Sequence, residues 1–173
     1  MGAWRRLALG SAVVLAAGCT TTPSATPDTP TGASAATGCG SRIETEALPD
    51  WADAGFSGDT RVPHVFGAKG EIVAVLFGHP LTADRQDGAN NKILWVARRA
   101  STPADPAASA DLVITAFLDG TDTRVSREVT GGPGPSIIDL PRSGCWHLDL
   151  RWSGRTDTMD LVYADGRATA SGT

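Results

Sequence analysis

Few side chains in this sequence stand at spacings that do chemistry, and its histidines, acids and glycines are the first to weigh. His64, His79 and His147 fall on or beside different predicted strands; three imidazoles meeting at one end of a β domain would suit copper or zinc. No His-x-His pair accompanies them, and Met159 is the methionine that remains beyond Met1, so no ligand spacing is present. Three solvated or hydrogen-bonded imidazoles is the simpler reading. Asp119-Gly120-Thr121-Asp122, with Asp139 further on, carries part of a calcium-loop pattern, but no bidentate Glu follows and turn formation accounts for it. Gly131, Gly132 and Gly134 would need a helix N-terminus after them to cradle phosphate; Pro135 and a predicted strand follow instead. His-Glu-x-x-His, Gly-x-Ser-x-Gly, Gly-Lys-Ser/Thr and Gly-x-Gly-x-x-Gly do not occur in the sequence. A Ser–His–Asp triad is a spatial arrangement, and no serine here is marked as a nucleophile. The expectation is a protein without catalytic residues, resident metal or cofactor.

The elements that must position these groups read as strands. Helical periodicity is weak, and the strong segments are short, β-branched and bounded by Gly, Pro, Asp or Asn. The pattern predicts strands at about 61–67, 71–78, 92–98, 111–118, 123–130, 136–140, 145–152 and 158–164. The second, Ile72 to Phe77, is apolar on both faces and should be central. In the seventh, Trp146, Leu148, Leu150 and Trp152 share one face while Cys145, His147, Asp149 and Arg151 share the other. The tryptophan side is predicted core, because four large apolar groups at period two cannot all stay in water. Asp119-Gly120 supplies one turn and Ser153-Gly154-Arg155 another. About 7–8 short strands in some 135 residues predict an all-β, antiparallel, immunoglobulin-like β-sandwich over residues 39–173. The Cys–Trp–Cys signature of a true immunoglobulin domain does not match, since Cys39 precedes the first strand and Ser143 stands where a tyrosine is expected. Trp51, ahead of the first strand, is expected to fold over one end of the sandwich as a lid. Loops 98–111 and 131–136 interrupt the regular spacing.

Ahead of the domain the chain has two further parts. Arg5 and Arg6 precede an apolar run from Leu7 to Ala17, too short to cross a bilayer and of the length of a secretory signal. It ends in Leu15-Ala16-Ala17-Gly18-Cys19, which resembles the lipobox of a bacterial lipoprotein signal, with Ala16 where that motif usually has leucine. The resemblance implies that residues 1–18 are removed and that Cys19 is fatty-acylated as the new first residue. It places the protein on the extracytoplasmic side of the cell membrane. Residues 19–38 hold the lipidated cysteine and a Thr/Pro/Ala/Ser-rich stretch with no large apolar side chain, which reads as a disordered tether. Such a chain of 19 residues spans about 25 Å on average.

With Cys19 given to the lipid by that resemblance, Cys39 and Cys145 remain. Thiols beyond the membrane are mostly oxidised, so a disulfide is the expected pairing; a metal or redox pair is the alternative, with no Cys-x-x-Cys to favour it. The net charge is −4, and removing residues 1–18 takes two arginines and no acid, leaving 13 basic against 19 acidic residues, or −6. That balance excludes nucleic acid as a partner and adhesion to anionic lipid by charge; membrane attachment must come from the acyl chain. The chain has two lysines, Lys69 and Lys92, against thirteen arginines, a skew of high-GC bacterial genomes.

Asn91-Lys92-Ile93-Leu94-Trp95-Val96, Gly132-Pro133-Gly134-Pro135-Ser136-Ile137 and Pro141-Arg142-Ser143-Gly144-Cys145-Trp146 together resemble actinobacterial envelope lipoproteins whose role is unassigned. The last segment is similar to the closing hairpin of secreted immunoglobulin-like domains. The resemblance implies architecture and compartment, and it supplies no activity. The function expected is that of a lipid-anchored extracytoplasmic binding or structural module, with an envelope protein or polymer as partner. The alternative expectation is a copper- or zinc-handling envelope protein using His64, His79 or His147.

Overall fold

The computed structural model describes residues 39–53, 58–84, 88–101 and 107–166. The predicted signal, Cys19 and the tether through residue 38 lie outside the described residues. The described residues are all-β and form nine strands: β1 (His64–Phe66), β2 (Ile72–Leu76), β3 (Leu81–Ala83), β4 (Lys92–Ala97), β5 (Leu112–Leu118), β6 (Arg124–Val129), β7 (Pro135–Ile137), β8 (Gly144–Trp152) and β9 (Arg155–Asp165). They make a four-stranded sheet of order β1-β2-β4-β7 and a five-stranded sheet of order β3-β9-β8-β5-β6.

The expected 7–8 strands become nine because Leu81–Ala83 forms an additional three-residue strand. It pairs in parallel with β9, Leu81 facing Tyr163, so the wholly antiparallel reading is corrected at this edge. Three residues are too few to show a period, and a parallel edge strand has no hairpin turn to announce it.

Alternation along each strand builds the core. In β8 Trp146, Leu148, Leu150 and Trp152 are buried and the intervening residues lie outward, as the pattern predicts. Each such side chain contributes about 1.5–3 kcal/mol relative to exposure. They meet Ile72, Ala74, Ile93 and Trp95 of the other sheet in one apolar cluster, so the two sheets enclose a common core. The core tryptophans keep their polar ends satisfied: Trp95 Nε1 donates to Ser136 Oγ at 3.0 Å and Trp146 Nε1 to Arg142 O at 2.9 Å.

The second face of β2 is buried as well. Val73 and Val75 pack under Leu48 and Ala52, with Trp51, Val62, Phe66, Leu94 and Val96 around them. Trp51 therefore covers the outer face of the four-stranded sheet and not one end of the fold. Its ring lies 6.1 Å from Phe66 and beneath the Arg98 guanidinium at 4.4 Å, while its Nε1–H is buried without an acceptor. A long apolar strand needs cover on both sides, and the segment before β1 provides the second layer.

Both ends of the fold are tied across the sheets. At one end Asn91 Nδ2 donates to Thr82 O (2.8 Å) and to Asp139 Oδ1 (2.7 Å), and Tyr163 Oη donates to Ile138 O (2.5 Å). Burial pushes the Tyr163 phenol well above its ordinary pKa, with Asp139 adding to the shift and Arg127 opposing it. At this same end Cys39 is bonded to Cys145 at the start of β8, across a sequence separation of 106. At the opposite end the buried carboxylate of Asp157 accepts the backbone N–H groups of Lys69 (2.9 Å), Glu71 (2.9 Å) and Thr158 (2.8 Å), clamping the β1–β2 turn to β9. Gly67 sits against it so closely that an added Cβ would lie 2.3 Å from Asp157 Oδ2.

Candidate functional site

The outward residues of the five-stranded sheet fall in ladder rows. Arg124, Phe117, His147 and Asp160 stand opposite one another across β6, β5, β8 and β9. Ser126, Thr115, Asp149 and Thr158 form the next row, and Glu128, Val113, Arg151 and Thr156 the third. The face is polar and charged, with Phe117 half-buried at its centre under the Arg124 guanidinium, 5.1 Å from the ring centroid. A sheet whose other face is core must place such groups outward, and the two-residue strand period spaces the rows.

His147 is the focus of the first row. Its Nδ1 lies 2.7 Å from Asp160 Oδ1 and its Nε2 3.5 Å from Asp149 Oδ1, so both ring nitrogens face carboxylate acceptors. Asp160 in turn is held by the chain entering the fold. Its Oδ2 accepts the Gly40 N–H at 2.8 Å and its own N–H donates to Ser41 Oγ at 2.7 Å. An added Cβ at Gly40 would come within 2.7 Å of that carboxylate, so the close approach suits glycine. The disulfide, Gly40, Phe117, His147 and Asp160 line a cleft of about 500 Å³ that continues to the β5–β6 turn at Asp119–Thr121. A second cleft of about 420 Å³, lined by Thr115, Arg124, Asp149 and Arg151 among others, adjoins it on the same face.

The predicted site residues separate here. Cys39 and Cys145 come together as expected. The three histidines do not: His64 is buried on β1 with Nδ1 2.8 Å from Val62 O, His79 is exposed after β2, and His147 is on the outer face of β8. Among the described residues, the group of three or more His, Cys, Asp or Glu close enough to share an ion is Cys39, Cys145 and Asp160, and its two sulfurs are bonded to each other. Asp119 lies in the β5–β6 turn and Asp139 holds Asn91, so neither enters a calcium loop. Sequence reasoning placed Asp149 on the face of His147 without giving it a role, and passed over Asp160, the other partner of His147, and Asp157.

No protein-family model matches the chain, and no curated protein matches it. Among solved structures the chain is similar to the crystal structure of a "Putative Lipoprotein from Bacillus anthracis", at 18% identity and a TM-score of 0.41 over 70% of this chain and 87% of that one. A likeness so remote assigns neither fold family nor role.

Proposed function

We propose that this protein is a lipid-anchored extracytoplasmic module on an immunoglobulin-like two-sheet framework, acting by binding and not by catalysis. The observation that carries the reading is the Cys39–Cys145 disulfide. A disulfide of this kind belongs to an oxidising compartment, and its formation leaves Cys19, at the end of the lipobox, as the cysteine open to acylation. The binding surface is the outer face of the five-stranded sheet, where His147, Asp149, Asp160, Arg124 and Phe117 offer hydrogen bonds, charge of both signs and one aromatic ring. His147 holds Asp160 Oδ1 and Asp149 Oδ1 against its two ring nitrogens, so the row offers a partner hydrogen-bonding groups in fixed positions. The partner is an envelope protein or polymer.

Two measurements test this reading. Fractionation with fatty-acid labelling compares the native chain with Cys19→Ala: label and membrane association are expected in the first and lost in the second, and an unlabelled, soluble native chain overturns the anchor. Crosslinking on intact cells with mass spectrometry then maps the partner. Crosslinks on β8 and β9 that disappear in His147→Ala/Asp160→Ala support the face named here, and crosslinks confined to other surfaces overturn it.

A further inference from the structure

The large apolar side chains left exposed among the described residues lie toward one end of the fold, on the outer faces of both sheets. They are Ile43 (38% exposed), Phe77 (49%), Ile137 (53%) and Val162 (50%). The registers carry all of them toward the disulfide end. Phe77 follows the last residue of β2, and its N–H donates to Lys92 O at 3.1 Å. Lys92, the first residue of β4, stands opposite Ile137, the last of β7. Phe77, Lys92 and Ile137 thus make a row across the outer face of the four-stranded sheet, with Lys92 Nζ 5.3 Å from the Phe77 ring centroid. On the other sheet Val162 is opposite Cys145. Ile43 precedes Glu44, whose backbone pairs with His64 at the start of β1. This is the end at which the chain enters the fold, because Cys39 is fastened there to Cys145.

We propose that the disulfide end rests on the bilayer, with Phe77 and Ile137 seated in the lipid interface. The proposal depends on the lipid-anchor reading above. Twenty residues of sequence lead from Cys39 back to Cys19, so the end bearing the exposed apolar groups is the end held to the membrane. The chemistry fits a shallow seat. The two apolar bodies enter the boundary below the headgroups, while the Lys92 stem lies along them and its ammonium reaches back to phosphate. A mature charge of −6 rules out general attraction to anionic lipid, so the contact is apolar and little affected by salt. Among the described residues, the five-stranded sheet presents its charged ladder, and residues near Leu48 and Trp51 cover the remainder of the four-stranded sheet.

The test uses the full chain processed in a bacterial host and placed in phosphatidylcholine vesicles containing brominated lipid. Tryptophan reporters are introduced by Phe77→Trp at the disulfide end and by Ala68→Trp in the exposed β1–β2 turn at the opposite end. The quenching that Phe77→Trp adds over the native tryptophans is expected to exceed that added by Ala68→Trp by about twofold or more, as for an indole seated at the interface. Equal quenching at both, in protein that floats with the vesicles and carries the acyl group on Cys19 by mass spectrometry, overturns the proposal alone. A native chain with no acyl group overturns the anchor reading and this proposal with it. Concentration-dependent dimerisation that vanishes in Phe77→Ser/Ile137→Ser would assign the row to a second copy and overturn the lipid contact.

Discussion

Asp157 shares its face of β9 with Met159, Leu161 and Tyr163, all buried, and its carboxyl oxygens accept three backbone N–H groups. Removing the carboxylate leaves those donors buried and unpaired, so Asp157→Ala is expected to lower stability by about 2–4 kcal/mol, read as a shift of the urea midpoint. Asp111 does related work on the surface. The Gly131 N–H at 2.7 Å, and then the Ser109 hydroxyl, hold its carboxyl below the ordinary aspartate value. A group easier to ionise when folded stabilises above its unfolded pKa, and that contribution is lost as pH falls through the lower folded value. The melting temperature of Asp111→Asn should therefore lie below that of the native protein at neutral pH and converge with it below about pH 4. The clamp at Asp157 was legible in principle, since period two places that acid on the same side as three apolar residues. What the sequence does not display is the β1–β2 turn that meets it, which comes from the other sheet.

Among the elements, β8 and β2 were read correctly because each carries a strong local signal: strict alternation in one, apolar residues throughout in the other. The last hairpin was placed but not its register. The expected turn included Arg155, whereas Ser153 and Gly154, both at positive φ, form it alone and Trp152 faces Arg155. Counting back from that pair sets His147 opposite Asp160, so the candidate site became visible only with the turn settled by one residue. β3 stayed hidden because its partner is distant and parallel. The disulfide joins the entry segment to the centre of the five-stranded sheet, and Cys39→Ser/Cys145→Ser is expected to cost roughly 4–5 kcal/mol in the chain-entropy account. Chemical denaturation of that variant beside the oxidised protein measures it; a change under about 1 kcal/mol would show that the closed loop is already restrained without the bond.

At the scale of the whole molecule, the His147 row and the Phe77–Lys92–Ile137 row lie on the outer faces of different sheets, and both lie toward the disulfide end. Cys39 also decides how a pull reaches the domain. On the anchor reading proposed above, tension arriving along the chain from Cys19 would pass through the sulfur bridge into β8, which is flanked by β5 and β9 and registered with β9 over nine residue pairs. Were the bridge reduced, the same pull would travel through Gly40 and Ser41 to Glu44 and peel the cover from Val73 and Val75, one hydrogen bond at a time. On that same reading the bridge decides which strand meets the pull first, and its reduction would move the load to the entry segment.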